Sequence, residues 1–149
     1  MFLEYRLLTA DDEEYPVLSH YKGIKLEEIL LRLHCDYWVR DRNVYQLRST
    51  SMEKECYVIY VELDEEESGE DPVYVFEQSW NGIKVEFRHF HEGQKEHPIV
   101  KEYIYTDPKD ALLHLASDFY QLGETEWVKT SSEVDENRKT YIYYAEPTN

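Results

Sequence analysis

The chain is poor in the residues from which catalytic motifs and covalent frameworks are built. Its two cysteines, Cys35 and Cys56, have no C-x-x-C spacing. A dense disulfide framework is therefore excluded, and free thiols in a reducing compartment are expected, with a single bridge between the two left open. The five glycines include no G-x-G-x-x-G and no G-x-x-x-x-G-K-[ST], so neither a dinucleotide fingerprint nor a P-loop is present. There is no G-x-S-x-G elbow, and Cys35 beside His34 is a neighbour in sequence rather than the spatial pair that nucleophilic catalysis requires. No apolar run reaches the about 18 residues of a membrane helix. The opening "MFLEYRLLTADDEEYP" has neither a basic leader nor a signal-length apolar core, which makes the cytoplasm the expected location.

Positive charge is scarce as well. Sixteen basic residues stand against 32 acidic ones, a formal charge of −16, and from Asp64 onward 8 basic and 20 acidic residues carry −12 of it. A field of this sign repels phosphate backbones and anionic headgroups, so no direct nucleic-acid partner and no membrane partner is expected. A basic protein would be attracted. The first consequence of such charge is solubility, and steering of a partner comes second.

What the chain does have is hydrophobic and aromatic material, 42% and 15% of its residues, far above a disordered composition. Its length suits a single acidic α+β domain over residues 1–149, burying roughly 68% of its unfolded surface. "FLEYRLL" reads as a strand that ends at the acidic "DDEE" and Pro16. Leu26, Ile29, Leu30, Leu33 and Tyr37 fall on one helical stripe, with Glu27 and Glu28 at its positive end. One short strand is expected within Trp38–Ser49, and "KECYVIYVEL" is apolar on both faces, as a central strand is.

Asn81-Gly82 between two alternating runs predicts a type I′ hairpin with Trp80 opposite Ile83 and Gln78/Val85, Phe76/Phe87 and Tyr74/His89 on the core face. The other face would hold Ser79/Lys84, Glu77/Glu86, Val75/Arg88 and Val73/Phe90. "IVKEYIY" reads as a strand. The segment from Asp107, a natural N-cap before Pro108, reads as a helix to Gly123 with Ala111, Leu112, Leu115, Phe119 and Leu122 buried. Two strands near "TEWVKT" and "KTYIYYA" flank the polar loop "SSEVDEN". No internal repeat is evident. The expected fold class is α+β, a mainly antiparallel sheet of about six to eight strands with two helices on one face.

Three groups of residues invite a chemical reading. The loop "DEEESGED" concentrates Asp64, Glu65, Glu66, Glu67, Glu70 and Asp71 next to Tyr74, a plausible acidic surface with an aromatic anchor, and its spacing does not follow the calcium-loop pattern. In "RHFHEGQKEH", His89 and His91 lie on one side of a strand, and Glu96 or His97 follows in the loop, which outlines a divalent-metal site. With Gly82, this pattern resembles in part the metal motif of the cupin family. It departs from that motif in its six-residue spacing from Gly82 to His89, in the missing closing glycine and in the absence of a second motif, so membership is not assigned.

Asp110, His114 and Asp118 stand one helical turn apart, a ladder expected to be solvated; His34 borders the first helix's apolar stripe and is expected as a boundary residue rather than a base, and His20 has no partner pattern. Of these, the acidic surface is the leading expectation: a non-enzymatic cytoplasmic protein-binding or regulatory module for a basic partner. It requires no cofactor. The alternative is a small-molecule or divalent-metal-binding domain using the histidine-rich hairpin end.

Overall fold

The computed structural model describes residues 1–9, 14–69, 71–75 and 82–149. The first half contains β1 (Phe2–Leu7), β2 (Val17–Tyr21), α1 (Leu26–Leu33), β3 (Tyr37–Arg40), β4 (Asn43–Glu53) and β5 (Cys56–Leu63). The second contains β6 (Ile83–His89), β7 (Ile99–Tyr105), α2 (Pro108–Ala116), β8 (Phe119–Leu122), β9 (Thr125–Asp135) and β10 (Thr140–Pro147). The ten strands form one sheet in the order β2-β1-β5-β4-β3-β9-β10-β6-β7, with β8 pairing β9 beside that path.

The sheet is larger than expected and mixed rather than mainly antiparallel. β1 runs parallel to β5, β6 to β10, and β3 to β9. These pairings join strands distant in sequence, which local hairpin signals do not report. The hairpin expected around Asn81-Gly82 is overturned where it can be checked. Both sides of β6 are occupied, by β7 and by β10, so Tyr74 does not face His89 nor Val75 Arg88. The Val75 amide instead donates to the Asn137 carbonyl. Residues 76–81 of that hairpin lie outside the described residues.

Both helices are shorter than their apolar stripes suggested. α1 ends at Leu33 and Tyr37 opens β3; α2 ends at Ala116, and Phe119 and Leu122 belong to β8. The Asp107 cap is present, its carboxylate accepting from the Lys109 amide at 2.9 Å. Trp38–Ser49 holds two strands rather than one, and "SSEVD" continues β9 instead of forming a loop.

The element order is the same in both halves, and this exposes a duplication that the residue pattern had hidden. Each half runs strand, strand, helix, strand, strand, strand, with its first strand antiparallel to the second and parallel to the last. Leu3-Glu4-Tyr5-Arg6 corresponds to Val85-Glu86-Phe87-Arg88, 82 positions on, and Pro16 to Pro98. At the same spacing Leu31-Arg32-Leu33 corresponds to Leu113-His114-Leu115, and Asp36 to Asp118. Beyond the turn that follows β4 or β9, the spacing becomes 84, because that turn has two residues in the first repeat and four in the second. Tyr57, Val58 and Tyr60 then match Tyr141, Ile142 and Tyr144.

Even the irregularities repeat. A bulge falls between Tyr5 and Arg6 in one repeat and between Phe87 and Arg88 in the other, and a second skips Arg48 and Thr130. Bulges are deliberate features of strand geometry, and their repetition in register marks the two halves as one design used twice.

The core lies on the face that carries the helices. Leu3 and Tyr5 of β1, Ile59 and Val61 of β5, Trp38 of β3, Val134 of β9, Tyr141 and Tyr143 of β10, and Val85 and Phe87 of β6 join Ile29 and Leu31 of α1 and Ala111 and Leu115 of α2 in one cluster. Aromatic pairs fix it: Tyr5 stacks on Trp38 at 4.0 Å in the first repeat, and Phe87 meets Tyr120 edge-on at 5.3 Å in the second. This leaves the opposite, outer face of the sheet for polar chemistry.

Candidate functional site

Strand pairing places one residue from each of seven strands in a row across the outer face. The row reads Glu62, Gln46, Tyr37, Glu133, Ile142, Glu86 and Glu102. Four glutamates in one row would repel, since like charges directly opposite destabilise a sheet. Each is handled differently. Glu62 meets Arg48 at 2.9 Å in solvent, and Lys84 stands 3.5 Å from Glu102. Glu86 is buried, and its carboxylate accepts from Arg88 at 2.7 and 3.0 Å and from both terminal nitrogens of Arg138. The counterpart of this fork in the first repeat is Glu4 with Arg6, at 2.8 and 3.0 Å, joined by His20 at 2.8 Å. The Arg6 hydrogen bond holds the Glu4 carboxyl below its ordinary range.

Of the four in the row, Glu133 has no cation in contact among the described residues. Burial, aided by the nearby Asp135 carboxylate, pushes its carboxyl up to about 7, and its hydrogen-bond partner is the Tyr144 hydroxyl at 3.3 Å. Next to it in the row, half-buried Tyr37 has a phenol raised by burial and then by Asp64, Asp36, Glu67 and Glu133 around it. Carboxylates from two loops and one strand thus surround the Tyr37 side chain. The chemical capacity of this arrangement is to hold a cationic side chain, since the ring offers its face and the carboxylates offer charge.

The loop singled out in the sequence contributes part of this site. Asp64 accepts from the amides of Glu66 and Glu67 and from Gln46, and Ser68 ties the loop to Val44. Asp64 and Glu67 are thereby fixed beside Tyr37. Glu65 and Glu66 are exposed, Asp71 pairs with Arg42 at 2.7 Å, and the Tyr74 hydroxyl donates to Asp41 at 2.9 Å on the turn after β3. Glu70 lies outside the described residues. Tyr37 and Glu133 were missed because one was assigned to a helical stripe and the other to a loop; strand alternation around Trp38 and Val134 would have found both.

The histidine cluster takes a different form from a metal centre. The rings of His89 and His91 lie 4.0 Å apart, and His89 meets Trp127 edge-on at 5.0 Å. Burial and then His91 hold His89 below its ordinary range. His97 stacks on Phe90, and its Nδ1 accepts from the His91 amide at 3.0 Å. Glu96 lines a small hollow with Arg88 and His91, and His89 does not. Among the described residues, no three of His, Cys, Asp and Glu are grouped to hold a metal ion.

The expected solvated ladder on α2 is overturned at its centre. His114 is buried among Tyr103, Tyr105, Tyr120, Tyr143 and Phe87, because its position in the repeat is that of buried Arg32. Burial lowers its imidazole to about 4, leaving it neutral, with Nδ1 2.6 Å from the Tyr105 hydroxyl and Nε2 without a partner among the described residues. The two cysteines are free, Cys35 buried and Cys56 half-buried.

A cleft of about 1000 Å³ opens where α1 and the following repeat meet, lined by Lys22, Lys25, Arg32, Asp135, Glu136 and Lys139 among others. In it, Glu136 of the second repeat reaches into the first, accepting from Arg32, from the Tyr21 hydroxyl at 2.6 Å and from the Trp38 indole at 3.1 Å. Burial acts to raise the Glu136 carboxyl, but Arg32 and these donors hold it below its ordinary value. The histidine cluster does not line this cleft. No described helix is long and apolar enough to cross a membrane. The chain matches no family model, no curated protein and no solved structure in the comparisons made with each.

Proposed function

We propose that this chain is a non-enzymatic protein-binding or regulatory module of the cytoplasm whose outer sheet face takes a basic partner. The observation that carries this reading is the place of Tyr37 in the outer-face row, paired with Glu133 on one side and on the other with Gln46, which holds Asp64, and directly after Asp36 in the chain. The formal charge of −16 adds long-range steering toward a cationic surface. On arrival, an arginine or lysine side chain would stack on Tyr37 and restore ionisation to Glu133, whose proton would be released. Free thiols agree with a reducing compartment.

The test is capture from the source organism's lysate at low salt with elution by a salt step, comparing the native chain with a Tyr37→Ala, Asp64→Lys, Glu67→Lys variant. A basic protein held by the first and lost by the second supports the reading. Equal capture by both removes it.

The cleft supports a second reading, a small polar molecule held between Lys22, Lys25 and Lys139 on one hand and Glu27, Glu28 and Asp135 on the other, because groups of both signs line one opening. Mass spectrometry of the native protein decides it: a bound small molecule lost in Lys25→Glu favours the cleft. The same sample assayed for zinc, iron and manganese tests the histidine cluster.

A further inference from the structure

Because the chain is a duplication, each contact between its repeats defines a position that either recurs or is left open. The junction is made by β3, which pairs parallel with the second half of β9: Tyr37 with Glu133, Trp38 with Val134 and Val39 with Asp135. Asp36 locks its start. The Asp36 amide donates to the Ser132 carbonyl at 2.8 Å, its carboxylate accepts from the Ser132 amide at 2.9 Å, and the Ser132 hydroxyl donates to the His34 carbonyl.

The equivalent of β3 in the second repeat is β8, and the equivalent of the second half of β9 is the second half of β4. By the same register, Phe119 would pair with Ser51, Tyr120 with Met52 and Gln121 with Glu53. In this chain those edges do not meet. Among the described residues β8 pairs only with β9, and β4 is paired beyond Gln46 on the β5 side alone. Were the repeats related by an exact two-fold, β8 would close onto β4 of its own chain just as β3 closes onto β9. It does not, so the relation between repeats is open, and an open relation carried from chain to chain produces heterologous contacts.

Both sides of the missing junction keep its chemistry. Asp118 stands at the position of Asp36 and is exposed; its carbonyl accepts from the Lys129 amide at 2.8 Å, but its carboxylate takes no hydrogen bond among the described residues. Thr50 stands at the position of Ser132 and keeps its hydroxyl. Three apolar positions tell the same story. Leu31 is 1% exposed and its counterpart Leu113 68%; Val134 is 3% exposed and its counterpart Met52 74%; Tyr37 is half-buried and its counterpart Phe119 59% exposed. Leu113, Phe119 and Met52 are thus left in solvent where the internal junction covers their equivalents; the other exposed apolar residues of the second repeat, Ile99, Val100 and Ile104, lie on β7, away from this edge.

We propose that the chain self-associates head to tail, the β8 edge of one copy pairing in parallel with the second half of β4 in the next and reproducing the β3–β9 junction between chains. Asp118 of one copy then receives the Thr50 amide of its neighbour, and Phe119, Leu113 and Met52 become covered together. An unpaired strand edge with exposed apolar residues is a template for pairing with another chain. The contact is weaker than the internal one, because His114 replaces Arg32 and the short turn after β4 has no loop equivalent to Glu136–Lys139, so the Arg32–Glu136 ion pair is not repeated. Like charge on every copy opposes assembly, and salt screens it. Self-association therefore strengthens with ionic strength, the opposite of the salt response of an acidic face holding a basic partner, so the two readings fail separately.

The experiment is sedimentation velocity of the full chain across protein concentration at low and high salt, with Met52→Lys, Phe119→Lys and Asp118→Ala beside the native chain. The expected result is concentration-dependent growth past the dimer, enhanced by salt and weakened tenfold or more by each substitution. Circular dichroism confirms that these surface variants fold. A second measurement fixes the register: with Cys56→Ser as background, a mixture of Ser51→Cys and Phe119→Cys chains forms a disulfide-linked heterodimer on oxidation, and either chain alone does not. A monomer at every concentration in high salt overturns the proposal. So does a closed dimer indifferent to the substitutions, association abolished by Ile104→Lys on the β7 edge instead, or an intramolecular disulfide in a chain carrying both cysteines.

Discussion

Buried His114 and half-buried Glu133 titrate over the same pH range with opposite consequences for stability. His114 is neutral in the fold, lowered to about 4 by burial from an ordinary value of 6.5. The unfolded chain therefore binds a proton that the fold does not, and stability falls as pH drops from 6.5 toward 4 and is level below that. At 1.36 kcal/mol per unit the loss is about 3 kcal/mol. Glu133 is raised to about 7 from 4.5. Here the fold holds the proton more tightly, so stability falls as pH rises from 4.5 to 7. Solvent screening of this half-buried group reduces its share to about 1 to 2 kcal/mol. Between pH 4.5 and 6.5 the two slopes oppose, and the native chain changes less than either group alone would make it.

Urea denaturation followed by tryptophan fluorescence, at half-unit steps from pH 4 to 7.5, separates them in the difference curves between native and variant chains. Glu133→Gln should gain stability relative to the native chain as pH rises through 4.5 to 7, because it removes the cost of a desolvated carboxylate. His114→Gln, which retains a hydrogen-bonding group toward Tyr105, should lose stability at neutral pH and regain ground relative to the native chain as pH falls from 6.5 to 4. Flat difference curves for both variants would refute the assignment of these titrations. A His114→Gln curve that runs parallel to the native one would refute the burial argument for that ring in particular.

Other substitutions test the packing directly. Gly82→Ala would place a Cβ 2.5 Å from the Tyr105 carbonyl oxygen, a backbone atom that cannot move aside, so denaturation should report a loss of about 1 to 3 kcal/mol. Glu86→Gln leaves Arg88 and Arg138 facing each other with one carboxylate fewer; a loss of about 2 to 4 kcal/mol is expected in the same assay, and Glu4→Gln, whose site is more open, should cost less. Arg32→Met and Glu136→Gln, alone and together, form a cycle across the two repeats, and a coupling of at least about 1 kcal/mol is expected from their buried contact.

The sequence showed where apolar stripes begin more clearly than where they change period. At Ile29–Tyr37 and Ala111–Leu122 a helix runs into a strand with no break in hydrophobicity, and a helical reading carries through Cys35-Asp36 and Ser117-Asp118. Those aspartates were the available signal, since each stands immediately before the strand that follows. β1, the central β5, β7 and the last two strands were legible from alternation and β-branched content. The parallel pairings were not, because their partners lie more than fifty residues apart, as Leu3 and Tyr57 do. The site was half legible: the acid-rich loop drew notice by composition, but Tyr37 and Glu133 acquire meaning only when β3 and β9 are laid side by side. The duplication escaped because most matched positions share size and polarity rather than identity, as Arg32 and His114 illustrate.

The parallel pairing of each repeat's first strand with its last has a consequence for how the chain folds as it is made. β1 waits for β5, and β6 waits for β10, so neither repeat can complete its sheet until its final strand has been synthesised. Such distant closure slows folding relative to a meander of hairpins. Yet each closure stays within its own repeat, and among the described residues only β3 with β9 ties the two by strand pairing. The first repeat can therefore finish pairing β1 with β5 while the second is still being added, and folding proceeds as two shorter searches followed by one docking step rather than as a single search over 149 residues.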